Sequence, residues 1–148
     1  MLRVEDWVTG GAAALVVIIC VLVHFEGLRF ITDHFPHPKW HPRRRILFLS
    51  FAVLFLHVVE IWIFGTAYWI FVADGGYGEV AGVDEPTFID CVYFSAVVFS
   101  TVGFGDMYPT GPLRVIVGVE AVTGLTLITW SASYTFVEML KTWRPQND

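Results

Sequence analysis

Charge is scarce in this chain. Asp, Glu, Lys and Arg make up 16% of its 148 residues, while 55% are hydrophobic; an ordinary soluble domain carries about 25% charged residues. That balance excludes a well-solvated soluble fold and places the chain among membrane proteins. Cysteine is scarcer still. The two present, Cys20 and Cys91, lie in apolar stretches, have no zinc-type spacing and read as buried thiols rather than a disulfide. A net charge of -5 and the lack of a basic patch interleaved with aromatics exclude nucleic acid as a partner. No recognisable set of nucleophile, base and oxyanion donors supports an enzyme, and nothing calls for a cofactor. The first apolar run is preceded by Glu5 and Asp6 rather than by basic residues, so it reads as a retained helix and not a signal peptide. No internal repeat is evident.

What the chain does have is long apolar runs. Residues 7–25, 46–72 and 113–140 are each long enough to cross a bilayer, which takes about 20 helical residues. The second and third are longer and are expected to tilt. Residues 87–100 are apolar too, but about 14 residues at 1.5 Å each cannot span. This segment has to enter the membrane and return, which irregular backbone tolerates only where protein or a water-filled cavity satisfies it. Asp84-Glu85-Pro86-Thr87 has the acids and proline of a helix start. A helix from there to Ser100 directs its partially negative end toward the membrane centre, where it favours a cation. The fold class expected is an all-α membrane protein: three transmembrane helices, a re-entrant pore helix and a loop after it.

That loop is Thr101-Val102-Gly103-Phe104-Gly105-Asp106. An ion crossing a bilayer must exchange its water shell for other oxygens, and backbone carbonyls aimed at one axis supply them without a trapping charge. Carbonyls turned to one side need unusual φ at intervals, which Gly103 and Gly105 adopt cheaply. Val102 and Phe104 are then free to pack outward. The string resembles the potassium-channel selectivity filter with phenylalanine in the aromatic position. Tyr93-Phe94-Ser95 before it and Met107-Tyr108-Pro109 after it extend the resemblance, and residues 46–140 are similar to the family's pore domain. The closest form is the small prokaryotic type with one extra N-terminal span. The resemblance implies K+ held by Thr101, Val102, Gly103, Phe104 and Gly105, with the Thr101 hydroxyl below the carbonyls and Asp106 at the outer mouth. Since one chain holds one such loop and a filter needs four, it also implies a homotetramer with the path on its axis. Two departures bear on filter stability rather than selectivity. Phe104 lacks the usual tyrosine hydroxyl, and Val97 leaves no carboxylate where some members pair one with the outer aspartate. The function expected is passive, selective K+ conduction; the alternatives are a nonselective cation channel and a non-conducting modulatory subunit.

On this reading residues 1–32 form a peripheral helix outside the pore or between subunits, 33–45 a cytoplasmic basic linker, 46–142 the pore domain and 143–148 a short tail. Within the pore domain the outer helix is 46–72, the turret 73–86, the pore helix 87–100, the filter 101–106 and the inner helix 113–140. An arginine ladder is missing from the first span, which argues against a voltage sensor. The tail is too short for a ligand-binding domain. Lys39, Arg43, Arg44 and Arg45, with Lys141 and Arg144, set both those connections on the cytoplasmic side and the N-terminus outside, in a plasma membrane or a bacterial inner membrane. The outer connection carries Asp74, Glu79, Asp84 and Glu85 without a basic residue, and its glycines suggest a mobile turret with an acidic rim.

Further candidates follow from residue chemistry. His57 and Glu60 share a face of the second span and Glu120 lies on the third, a candidate pH-sensing or gating latch if they meet, or a static polar contact. His34, His37 and His41 sit among prolines that break any helix aligning them for a metal, so the linker reads as interfacial, with Arg43, Arg44 and Arg45 contacting anionic lipid. Gly124 is a candidate hinge of the inner helix, against a packing role for the same glycine, and Trp130 or Tyr134 a candidate constriction. The stimulus that opens the pore has no signature.

Overall fold

The computed structural model describes residues 3–34 and 41–143. Helix α1 (Val4–His34) is followed by α2 (Pro42–Asp74), a two-residue strand β1 (Val80–Ala81), α3 (Phe88–Phe99), a two-residue strand β2 (Tyr108–Pro109) and α4 (Leu113–Trp143). The three long helices are apolar enough to cross a membrane. At 31, 33 and 31 residues they reach about 45–50 Å, more than the ~30 Å hydrocarbon core, so they tilt or project from it. The chain is therefore an all-α, multi-pass membrane protein.

Helix boundaries follow local chemistry. Helix α2 starts four residues before the apolar run, with a proline in its first turn, a position where the missing N–H costs nothing. Arg43, Arg44 and Arg45 consequently belong to this helix and not to a linker. It stops at Gly75, whose φ of 70° forms a left-handed C-cap donating to the Phe71 carbonyl. Helix α3 begins on a capping box: the Thr87 hydroxyl accepts from the Asp90 amide, and the Asp90 carboxylate accepts from the Thr87 amide. Those bonds hold the Asp90 carboxyl below the usual carboxylate range, so both halves of the cap are in place at neutral pH, and the carboxylate half weakens only as pH falls through that lowered value. The helix ends at its C-cap Ser100, and Thr101 after it already has a left-handed φ of 58°.

Helix α3 packs on α2 and α4, and α1 packs on α2 and α4 of the same chain. The main core gathers Phe64, Tyr68, Cys91, Phe94, Phe99, Leu113, Ile116 and Leu127 around α3. A second cluster, Leu28, Leu49, Val53 and Leu56, binds the other halves of α1 and α2. Both cysteines are free and buried. Without water between them, membrane helices associate through close van der Waals contact, which small residues permit. Two glycines serve that purpose. A Cβ on Gly65 would lie 2.8 Å from the Val92 Cα, and one on Gly124 would lie 2.2 Å from the Phe99 carbonyl oxygen. Gly124, a candidate hinge or packing glycine, is thus where α4 touches the end of α3.

The connection from α2 to α3 is not the loose turret its glycines suggested. Strands β1 and β2 pair antiparallel, Val80 opposite Pro109 and Ala81 opposite Tyr108. The Thr110 amide donates to the Glu79 carbonyl at 2.8 Å, the Glu79 amide to the Thr110 hydroxyl at 2.9 Å, and the Leu113 amide to the Tyr77 carbonyl at 2.9 Å. Gly78 and Gly82 have φ of 103° and 110°, and a Cβ on either would meet a backbone oxygen at 2.1 Å. These glycines are there for contact with the returning chain. Replacing Gly124 by Ala is expected to destabilise the protein by roughly 1–3 kcal/mol, the cost of overpacking. Gly11→Ala, where an added methyl meets nothing within 4 Å, is expected to be neutral; thermal unfolding in detergent compares the two.

Candidate functional site

Residues 101–106 emerge from the end of α3 and turn back along it. The Thr101 amide donates to the Val98 carbonyl at 2.9 Å, and the Val102 and Gly103 amides both donate to the Val97 carbonyl at 3.1 and 3.3 Å. With their N–H groups bonded back to the helix, these residues leave their own carbonyls for another partner. Conformation alternates along the segment: φ is 58° at Thr101, 58° at Gly103 and 80° at Gly105, with Val102 and Phe104 outside the left-handed region. A run that switches hand at every residue turns successive carbonyls toward one side, unlike a strand, where they alternate. Thr101 is the one non-glycine in that region among the described residues. A β-branched residue there is strained by on the order of 1 kcal/mol or more, and its amide bond to Val98 helps hold it. The glycine spacing predicted the strain relief at Gly103 and Gly105 and gave no sign of it at Thr101. Val102 and Phe104 are exposed in the single chain, Phe104 to 70%.

The segment is braced at both ends. At its outer end the Tyr93 hydroxyl donates to the Asp106 carboxylate at 2.8 Å. Tyr93 is one turn before Val97, so a tyrosine supplies from the helix the tie that Val97 cannot. Behind the helix, Ser95 is fully buried and bonds to both the Ile61 carbonyl of α2, at 2.9 Å, and the Glu120 carboxylate of α4, at 2.5 Å. The second Glu120 oxygen accepts from the buried Tyr68 hydroxyl of α2. One carboxylate therefore joins α2, α3 and α4 beside the segment. Neither Tyr68 nor Ser95 stood out in the sequence, where a hydroxyl among apolar residues has no distinguishing period.

The family model described as "Ion channel" matches residues 45–141. The chain belongs to the ion-channel family, as a pore domain of the potassium-channel type. A curated relative, two-pore potassium channel 4 of Arabidopsis thaliana, is 31% identical over 93 residues, which are 62% of this chain. The chain spans 28% of the length of that relative. No solved structure matches significantly.

Elsewhere in the chain the structure sorts the remaining candidates. His57 and Glu60 do meet, Nδ1 to Oε2 at 2.8 Å. The other Glu60 oxygen is taken by His24 Nδ1 of α1 at 2.7 Å, while Glu120 is bonded to Tyr68 and Ser95 as described. His57, Glu60 and Glu120, a candidate latch or a static polar contact, thus fall into two separate clusters, because Glu120 bonds to α2 and α3 while Glu60 bonds to His24 of α1 and His57 of its own helix. Arg45 pairs with Glu138 of α4 at 2.7 Å, and Glu138 also accepts from Lys141 at 2.6 Å. Of the three arginines, Arg43 and Arg44 are exposed and Arg45 is half-buried in this tie. Trp130 lies against His24 and Phe25, with ring centroids 5.3 and 6.5 Å away, and the Tyr134 hydroxyl bonds to Thr32. Both candidates for a constriction thus make contacts with α1. Of the linker histidines, His34 and His41 are exposed and His37 lies outside the described residues.

The Tyr93–Asp106 tie yields a direct test. An ordinary hydrogen bond contributes about 0.5–1.5 kcal/mol, so Tyr93→Phe is expected to speed the decay of current during sustained opening by about two- to tenfold. Ion selectivity measured from reversal potentials is expected to stay unchanged.

Proposed function

We propose that this chain forms a potassium-selective channel in which four copies place residues 101–105 around a common axis. One observation carries the reading: hand alternates at Thr101, Gly103 and Gly105 while the Thr101, Val102 and Gly103 amides are bonded back to α3. Carbonyl oxygens left free in this way replace the water shell of K+ without a formal charge, so the ion binds and leaves. The Thr101 hydroxyl adds an oxygen at the inner end. Asp106, tied by Tyr93, stands at the outer mouth. Exposure of Phe104 and of the α4 residues Val122, Leu125 and Phe136 fits surfaces that neighbouring copies and the ion path cover, since a closed ring buries the same patch on every copy.

Helix α3 directs its C-terminal carbonyls toward the cavity below the filter, where they favour a cation. Orientation follows the basic residues: Arg43, Arg44, Arg45 and Lys141 stand on the cytoplasmic side, with the N-terminus and the acidic connection outside. Exposed Arg43 and Arg44 are placed to touch anionic headgroups there.

Purified protein reconstituted in liposomes is expected to pass K+ and not Na+. Equal fluxes would mean a nonselective cation channel, and no flux a modulatory subunit. Crosslinking is expected to trap tetramers in detergent and in lipid. Asp74, Glu79, Asp84 and Glu85 are all exposed on the outer connection, where summed negative charge concentrates cations within a Debye length. Neutralising them together by amide substitution is expected to lower inward single-channel current at 10 mM salt and to leave it nearly unchanged at 1 M.

A further inference from the structure

Ion conduction through residues 101–105 makes no use of the cluster formed by His24, His57 and Glu60. Each imidazole presents Nδ1 to a different oxygen of one carboxylate, at 2.7 and 2.8 Å. A ligand atom from each of the three residues lies within 4.8 Å of the other two. Two imidazoles and a carboxylate are the donor set of open zinc sites, in which three protein ligands leave the fourth position to a solvent molecule. Zinc bonds of ~2.0–2.2 Å place tetrahedral ligand atoms about 3.3–3.5 Å apart. The two imidazole–carboxylate separations, 2.7 and 2.8 Å, have to open by only about 0.6 Å each, which side-chain rotation supplies, and the third pair starts within 4.8 Å.

The surroundings suit a cation as well. His24 Nε2 lies 3.3 Å from the hydroxyl of Ser131 on α4. With Nδ1 on a metal, Nε2 carries the proton and donates to Ser131, the outer hydrogen bond that fixes the tautomer and orientation of a metal-bound imidazole. Glu60 and His24 are wholly buried, and a buried carboxylate is costly without a cationic partner. A route to the cluster exists too. His57 is 12% exposed and, with Ser131, Ala132 and Ile128, lines an open cleft of about 370 Å³ between α2 and α4. The His57 ring also lies 5.8 Å from that of Phe99, the last residue of α3, whose carbonyl packs on Gly124.

We propose that His24, His57 and Glu60 form a site for a divalent transition cation of the zinc type, which clamps α1 to α2 next to the base of the filter. The site is distinct from the conduction path and does not depend on which ion that path selects. Imidazole ligation excludes Ca2+ and Mg2+, which prefer oxygen cages.

The test uses the purified 148-residue chain in detergent after chelator treatment. Titration with ZnCl2 by calorimetry is expected to saturate at one ion per chain with a Kd in the micromolar range or below. CoCl2 is expected to give the visible absorption of four-coordinate cobalt, bleached by Zn2+, and Zn2+ but not Mg2+ is expected to raise Tm. His57→Ala and Glu60→Gln are each expected to weaken binding by at least about tenfold, and Ser131→Ala by about tenfold as a supporting partner. The triple variant H34A/H37A/H41A is expected to bind like the wild type. Helicity and elution volume identify any variant that fails to fold, and His57→Ala, at the least buried of the three positions, then decides. Absence of saturable binding and of a cobalt spectrum in the wild type would overturn the proposal. So would binding that survives His57→Ala unchanged or is abolished in the triple variant.

Discussion

A carboxylate with no exposure to solvent, that of Glu120, holds the pore region together. Leaving it unsatisfied in an apolar bundle would cost several kcal/mol, so the Ser95 and Tyr68 hydroxyls that bond to it are constrained as firmly as the acid. Since the three residues come from three helices, satisfying one side chain sets the depth of α3 relative to both α2 and α4. Ser95 adds its bond to the Ile61 carbonyl, and glycines at 65 and 124 let the backbones approach to the distance those bonds need. The end of α3, and with it the start of the segment at Thr101, is placed by this joint. The segment then continues the same accounting. Backbone donors at membrane depth must be paired, and the Val97 and Val98 carbonyls pair three of them.

A second joint, at Glu60, does for α1 what Glu120 does for α3. Its carboxylate takes one imidazole from α1 and one from its own helix, and Ser131 of α4 closes the set from the far side of His24. Stacking of the two imidazoles at 5.5 Å and the approach of Trp130 to His24 enclose it. Farther along, Arg45, Glu138 and Lys141 tie the start of α2 to the last turns of α4. With the Thr32–Tyr134 hydroxyl pair, the extra helix is bound within its own chain by polar contacts at two levels, which suits a membrane interior where apolar contact alone distinguishes poorly between protein and lipid.

Much of this arrangement is legible from local pattern. Length and hydropathy mark the three spans, the short apolar run between Thr87 and Ser100 marks a helix that cannot cross, and Asp84-Glu85-Pro86-Thr87 announces its start. The glycine alternation at 103 and 105 announces the backbone that follows. Each of these rests on a few neighbouring residues, so no knowledge of the partner is needed. Where local pattern misled, the reason was equally specific. The turret glycines read as flexibility because a sequence does not distinguish a glycine required for freedom from one required for contact, and Gly78 and Gly82 are required for contact. Gly124 carried both readings, and it lies against the Phe99 carbonyl. Trp130 and Tyr134 have the size to block a path but turn to α1, because the face a helix presents depends on its neighbours.

By itself the sequence determined the three apolar spans, the short helix between the second and third, and the glycine-bearing segment after it, though the first two spans run several residues longer than their apolar runs, since hydropathy, helix propensity and φ preference are properties of adjacent residues. Tertiary structure alone decided which polar side chains meet. His24 with Glu60 are 36 residues apart, Tyr68 with Glu120 52, and Arg45 with Glu138 93. Such pairs exist because a buried charge must find a partner in three dimensions, and nothing in the spacing of either residue along the chain says which partner it finds.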